Sequence, residues 1–120
     1  MSLAVSLLIG LIALLHLYFM WLEMFAWNSR GRKVFKKFPP ELFEPTKKLA
    51  ANQGLYNGFL AAGLIWALVI REWPWNFYVA IFFLCCVLVA GVYGAVTVDR
   101  KIFFIQGLPA LSALLLLHLP

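Results

Sequence analysis

Glu23 has more chemistry to offer than any other side chain here, because it lies inside an apolar run, Leu3–Trp27. A carboxylate in hydrocarbon must either find a partner or hold its proton. His16, Met20, Glu23 and Trp27 recur at spacings of four, three and four residues, so on a helix they share one face. Other polar residues fall within later apolar runs: Asn52, Gln53 and Asn57 in the second, Tyr93 in the third and Gln106 in the fourth. Depths follow from ~1.5 Å of rise per helical residue. His16 is then near mid-membrane, with Glu23 roughly 10 Å to its cytoplasmic side. Asn52, Gln53 and Tyr93 share the level of Glu23, Gln106 lies slightly nearer the centre, and Asn57 is closer to His16. The expectation is a polar pocket around Glu23 with His16 above it. Its ligand-binding residues are His16, Met20, Glu23, Asn52, Gln53, Asn57, Tyr93 and Gln106.

Three kinds of chemistry fit such a set. A few polar groups in an apolar cavity suit a small lipophilic molecule, bound or transported. Glu23 and His16 could alternatively act as an acid–base pair on a lipid-soluble substrate, in an isomerase or hydratase. Seven residues give ~10.5 Å of rise, too far for direct contact but enough to straddle a ligand. No nucleophile signature or Gly-rich phosphate loop accompanies them, so enzymatic activity stays open. Asn, Gln and Tyr in membrane helices can also act simply as interhelical glue. A soft-metal set of His16, Met20 and Met24 lacks a second nearby His, and Cys85 and Cys86 lie in another run. No metal or cofactor is expected.

These residues need helices to position them. Four segments are long and apolar enough to cross ~30 Å of hydrocarbon: Leu3–Trp27, Leu49–Ile70, Trp75–Val98 and Ile102–Leu119. Pro109 should kink the last around Ile105–Pro109. The chain is 64% hydrophobic and 12% charged, more apolar than a soluble domain of this size could hide. The fold class expected is all-α, an integral membrane four-helix bundle forming a single domain over residues 1–120. The first run carries no Lys or Arg ahead of it and is too long for a signal core, so it should remain as a span.

The formal net charge of +5 points to topology rather than to nucleic acid, because the basic residues flank apolar runs. Arg30, Arg32, Lys33, Lys36, Lys37, Lys47 and Lys48 fall in the first loop, Arg100 and Lys101 in the third, and Arg71 alone in the second. Loops one and three should therefore face the cytoplasm, with both termini outside it. Within the loop 28–48, Arg30 to Phe38 mixes basic residues with Val34, Phe35 and Phe38, as in a turn or short helix on an anionic leaflet. Its plainest role is a positive-inside anchor. Ala50, Gly54, Gly58 and Ala62 repeat every four residues, and Ala90 and Gly94 do likewise. Such stripes let helix backbones approach closely, either within the bundle or in a homo-oligomer.

Three stretches carry a resemblance: His16-x-Tyr18-x-Met20-x-x-Glu23-Met24, Gly31-Arg32-Lys33-Val34-Phe35, and Leu49 to Gly58 with its Asn-Gln-Gly-x-Tyr-Asn-Gly string. With Gly91-x-Tyr93-Gly94 and Gln106-x-x-Pro109, they are similar to a bacterial family of small integral membrane proteins catalogued as domain of unknown function 1304. The resemblance covers nearly the whole chain. It implies four spans in a bacterial inner membrane and no established activity. A proton-coupled exporter of the small multidrug kind also has four spans and a first-span glutamate. The off-centre Glu23 and the one-sided loop charge argue against it.

The loop charges predict the orientation directly. With Cys85 and Cys86 replaced by alanine, a membrane-impermeant maleimide applied to intact cells should label Glu72→Cys and spare Lys36→Cys. The reverse pattern, or labelling of both, contradicts the assignment.

Overall fold

Long apolar runs have few polar neighbours to bond their backbone, and an α-helix satisfies those groups within one segment. The computed structural model describes all residues, 1–120, and is all-α. Its helices are α1 (Leu3–Phe25), α2 (Arg30–Val34), α3 (Lys47–Val69), α4 (Trp75–Thr97) and α5 (Leu108–Leu117). A 3-10 turn covers Pro40–Leu42, and a π-helical turn, Phe103–Gly107, leads into α5. Two helices, α1 and α4, are long and apolar enough to cross a membrane. The more polar α3 is not among them, and the run Phe103–Leu117 is shorter.

The chain divides into two compact units, Met1–Leu14 with Leu60–Pro120, and Leu15–Phe59. Helices α1 and α3 each contribute one half to either unit. The core of the first unit is built from Val5, Ile9, Ile12 and Ala13 of α1, Leu64 and Ala67 of α3, Ala80, Leu84 and Val87 of α4, and Ala110 and Ala113 of α5. Nearly half of these are alanines, and small side chains bring helix axes close.

In this unit α4 and the π turn meet backbone to backbone. A Cβ on Gly91 would stand 2.5 Å from the Gly107 backbone nitrogen and 2.6 Å from its Cα. Of the stripe residues Ala90 and Gly94, Gly94 packs against Ile102, but Gly91 makes the tighter contact. Where a kink is expected, at Ile105–Pro109, the structure has a π turn over Phe103–Gly107, one residue short of Pro109. Pro109 has no N–H to return to the Ile105 carbonyl, and its ring crowds that turn. The widened turn absorbs the mismatch, with the Leu108 N–H donating to the Phe103 carbonyl five residues back, as π-bulges do.

The outer faces of α1 and α4 are as apolar as their inner ones. On α1, Leu3, Leu7, Leu11, Leu14, Tyr18, Trp21 and Phe25 are all exposed, one continuous stripe at three- and four-residue spacing. Trp75, Tyr78, Phe82, Val89, Val92 and Val96 form the matching stripe on α4. The buried face of α1 instead holds His16 and Glu23.

The glycine contact gives a stability prediction. Gly91→Ala should cost about 1–3 kcal/mol, since a backbone neighbour cannot swing aside. Gly10→Ala, whose Cβ would meet only Leu68 at 3.8 Å, should leave stability unchanged or raise it. Thermal unfolding of the purified protein in detergent checks both, and an unaltered midpoint for Gly91→Ala contradicts the contact.

Candidate functional site

Residues Leu15–Phe59 form a helical hairpin, in which the second half of α1 packs on the first half of α3 through two matched patterns. Met20, Glu23 and Met24 stand at i, i+3 and i+4 on α1, and Gly54, Asn57 and Gly58 stand at i, i+3 and i+4 on α3. Each trio makes one face, so large, acid, large meets small, amide, small. A Cβ on Gly54 would lie 2.8 Å from Met24 Cγ, 3.0 Å from Glu23 Cβ and 3.0 Å from the Met20 carbonyl oxygen. One on Gly58 would lie 2.7 Å from Met20 Sδ. The glycines thus bring the backbones near enough for the Asn57 carboxamide to reach across. Its Nδ2 donates to Glu23 Oε1 at 2.5 Å. Glu23 is 5% exposed and His16 fully buried, while Asn57 and Met20 are half-buried.

No buried side-chain nitrogen or oxygen in the chain lacks a hydrogen-bond partner. His16 also meets the Phe19 ring edge-on at 5.5 Å. The functional groups along this hairpin are an imidazole, a carboxyl, a carboxamide and two thioethers. No three His, Cys, Asp or Glu side chains gather as they would around a metal ion.

Asn52 and Gln53 are exposed. At ~100° per residue, Asn52 is turned ~160° from Gly54, onto the opposite face of α3. Tyr93 is 70% exposed on α4 and lines an open apolar groove with Phe82, Cys85, Cys86, Val89 and Ala90. Gln106 is buried in the π turn. A second recess is lined by Met1, Val5, Trp73, Phe77 and Leu117 among others. Neither recess includes Glu23.

Beyond α1 the connection is a built cap, which the sequence alone did not reveal. Trp27 stands 5.5, 5.7 and 5.0 Å from the rings of Phe35, Phe38 and Phe43, and its indole N–H donates to Thr46 Oγ1 at 3.1 Å. Arg32 lies over the Phe43 ring at 4.9 Å and donates to the carbonyls of Asn28 and Pro40 at 2.9 and 3.1 Å. Asn28 donates in turn to the Glu44 carboxylate. A Cβ on Gly31 would meet the Trp27 ring at 3.2 Å, so the cage closes over a glycine. The available signal was four aromatic residues in a short loop.

The family described as "Protein of unknown function (DUF1304)" matches residues 10–118. The chain belongs to this family. A similar protein, "Uncharacterized protein YpaA" of Lactococcus lactis subsp. lactis (strain IL1403), is 35% identical over 107 residues, covering 88% of each chain. No solved structure matches. The DUF1304 match takes in the whole hairpin from His16 to Gly58, so the Glu23–Asn57 site falls inside the family's domain.

Removing one partner of this bond strands the other away from water. Asn57→Leu should cost about 1–3 kcal/mol, and the double change Glu23→Leu/Asn57→Leu should recover part of that loss. A double-mutant cycle on thermal unfolding measures it. Additive single effects would contradict the coupling.

Proposed function

We propose that this DUF1304 member is an integral membrane protein with four spans. Its Glu23–Asn57 pair is the polar end of a site for a small lipophilic molecule that is bound or transported. Helix α1 carries the membrane part. Its exposed face is Leu3, Leu7, Leu11, Leu14, Trp21 and Phe25, while its two ionisable residues, Glu23 and His16, are buried on the face that also holds Val5, Ile9, Ile12, Ala13 and Leu22. In water the ordinary arrangement is the opposite. Lipid is the solvent that reconciles the two faces, since ionisable residues in spans turn toward protein. On this reading α1, α3, α4 and the run from Phe103 to Leu117 cross in turn. The basic connection stays inside and both termini outside, in a bacterial inner membrane.

The chemistry of the hairpin supports the ligand part. Met20 has three rotatable bonds and a polarisable sulfur, and such side chains repack readily around varied apolar partners. Withdrawing it from Gly58 opens space beside a carboxyl and a carboxamide already held together. A second reading also has an observation in its favour: Met20 Sδ occupies the notch at Gly58, which suits a lock whose only task is to hold α1 on α3. The exporter and acid–base alternatives gain no observation of their own.

One experiment separates the two readings. Detergent-solubilised protein is screened by thermal unfolding against lipophilic amines and lipophilic quinones. A ligand at about ten times its Kd should raise the midpoint by about 5 °C, and Glu23→Gln should abolish that shift while the protein stays folded. If no compound shifts the wild type, or if the Glu23→Gln variant responds equally, the lock reading stands and the ligand reading falls.

A further inference from the structure

One line of exposed side chains on α3 changes character step by step, beside the exposed apolar Leu49 and, on α1, Phe25. On α3, Lys48, Asn52, Tyr56 and Phe59 follow one another at four, four and three residues, and all are exposed. The Tyr56 and Phe59 rings meet edge-on at 5.9 Å. On α1, the exposed rings of Tyr18 and Trp21 lie 5.9 Å apart, and the Arg30 Nε–H reaches back to donate to the Tyr18 hydroxyl at 3.2 Å. Ammonium, carboxamide, phenol and phenyl is the order of polarity met on passing from water through lipid headgroups into hydrocarbon. An outward-facing carboxamide such as Asn52 would be costly among acyl chains and is well placed among headgroups.

Charge agrees with this gradient. The segment 28–48 holds seven Lys and Arg against Glu41 and Glu44, so the chain's whole net charge of +5 resides there. Glu44 is engaged by Asn28. The aromatic cage around Trp27 holds the segment in one shape, with Lys33, Lys36, Lys47 and Lys48 turned outward.

We propose that this end of the chain is a headgroup-binding cap, in which Lys47, Lys48 and Asn52 hold the phosphates of anionic phospholipids. Tyr18, Trp21 and Tyr56 then mark the edge of the hydrocarbon, with the exposed Phe25 and Leu49 among the headgroups. The apolar stretches beyond that edge, Leu3–Trp21 and Leu55–Ile70, span ~28 and ~24 Å at ~1.5 Å per residue. A bilayer core of ~30 Å adapts to such lengths by modest thinning. The Glu23–Asn57 bond accordingly sits at the inner boundary of the hydrocarbon, within reach of headgroups. The cap rests on the membrane reading above.

The test uses the full-length protein in detergent, titrated with phosphatidylglycerol or phosphatidylcholine, with bound lipid followed by native mass spectrometry. Phosphatidylglycerol should bind at least tenfold more tightly, on the order expected for two basic side chains near an anionic surface. Lys47→Gln/Lys48→Gln should weaken it by about fivefold per lysine with the unfolding midpoint unchanged, and Arg71→Gln should leave it unaltered. Equal affinity for the two lipids, or an undiminished preference in the double variant, overturns the cap. Alkaline carbonate extraction of the source membranes distinguishes the two claims. Release of the wild type overturns the membrane reading itself, whereas retention without a phosphatidylglycerol preference overturns the cap alone.

Discussion

A carboxyl group removed from water must be bonded, and the hairpin of α1 and α3 is arranged to meet that requirement for Glu23. One donor, Asn57 Nδ2, reaches it. For a side chain as short as asparagine to do so, the two backbones must come within reach of each other. Gly54 and Gly58 provide that proximity, and Met20 and Met24 fill what the glycines leave open. The six residues are therefore interdependent. Enlarging a glycine separates the helices and leaves the carboxyl without its donor, while replacing Asn57 leaves the close packing around a stranded acid.

The other unit meets a different constraint with a similar device. Pro109 cannot complete the helical ladder, so the chain widens into a π turn over Phe103–Gly107. Gly107, at the end of that turn, lies directly against Gly91 of α4. In both units a helix contact closer than side chains permit is made at glycine. In both, a polar side chain is buried beside that contact, Glu23 in one and Gln106 in the other. Close approach excludes water, and with water excluded each polar group depends on a partner within the protein.

Much of the fold was legible because long apolar runs admit few structures. The expected segments Leu3–Trp27, Leu49–Ile70 and Trp75–Val98 correspond to α1, α3 and α4 within two residues at each end. Glu23 and Asn57 share a bond, whereas Asn52 and Gln53, which depth along a helix alone sets beside them, are exposed on α3. Asn52 shares a level with Glu23 and faces the other way. Rotation becomes readable only when the two i, i+3, i+4 trios are set against each other, and that pairing needs the partner helix to be known. The contact of Gly91 with Gly107 was missed for the same reason: the four-residue repeat drew attention to Ala90 and Gly94, which flank it. The cage around Trp27 depends on contacts between residues up to 19 apart, across a segment whose charges dominate its sequence pattern.

The contact between the Glu23 carboxyl and the Asn57 carboxamide should persist within a lipid bilayer. Solid-state NMR of the protein reconstituted in lipid, labelled with 13C at glutamate and 15N at the asparagine side chain, addresses this directly. A dipolar coupling between the Glu23 carboxyl carbon and the Asn57 side-chain nitrogen, lost in Asn57→Leu, is the predicted result. Absence of that coupling, or its replacement by one to a lysine or arginine of the basic segment, would contradict the account.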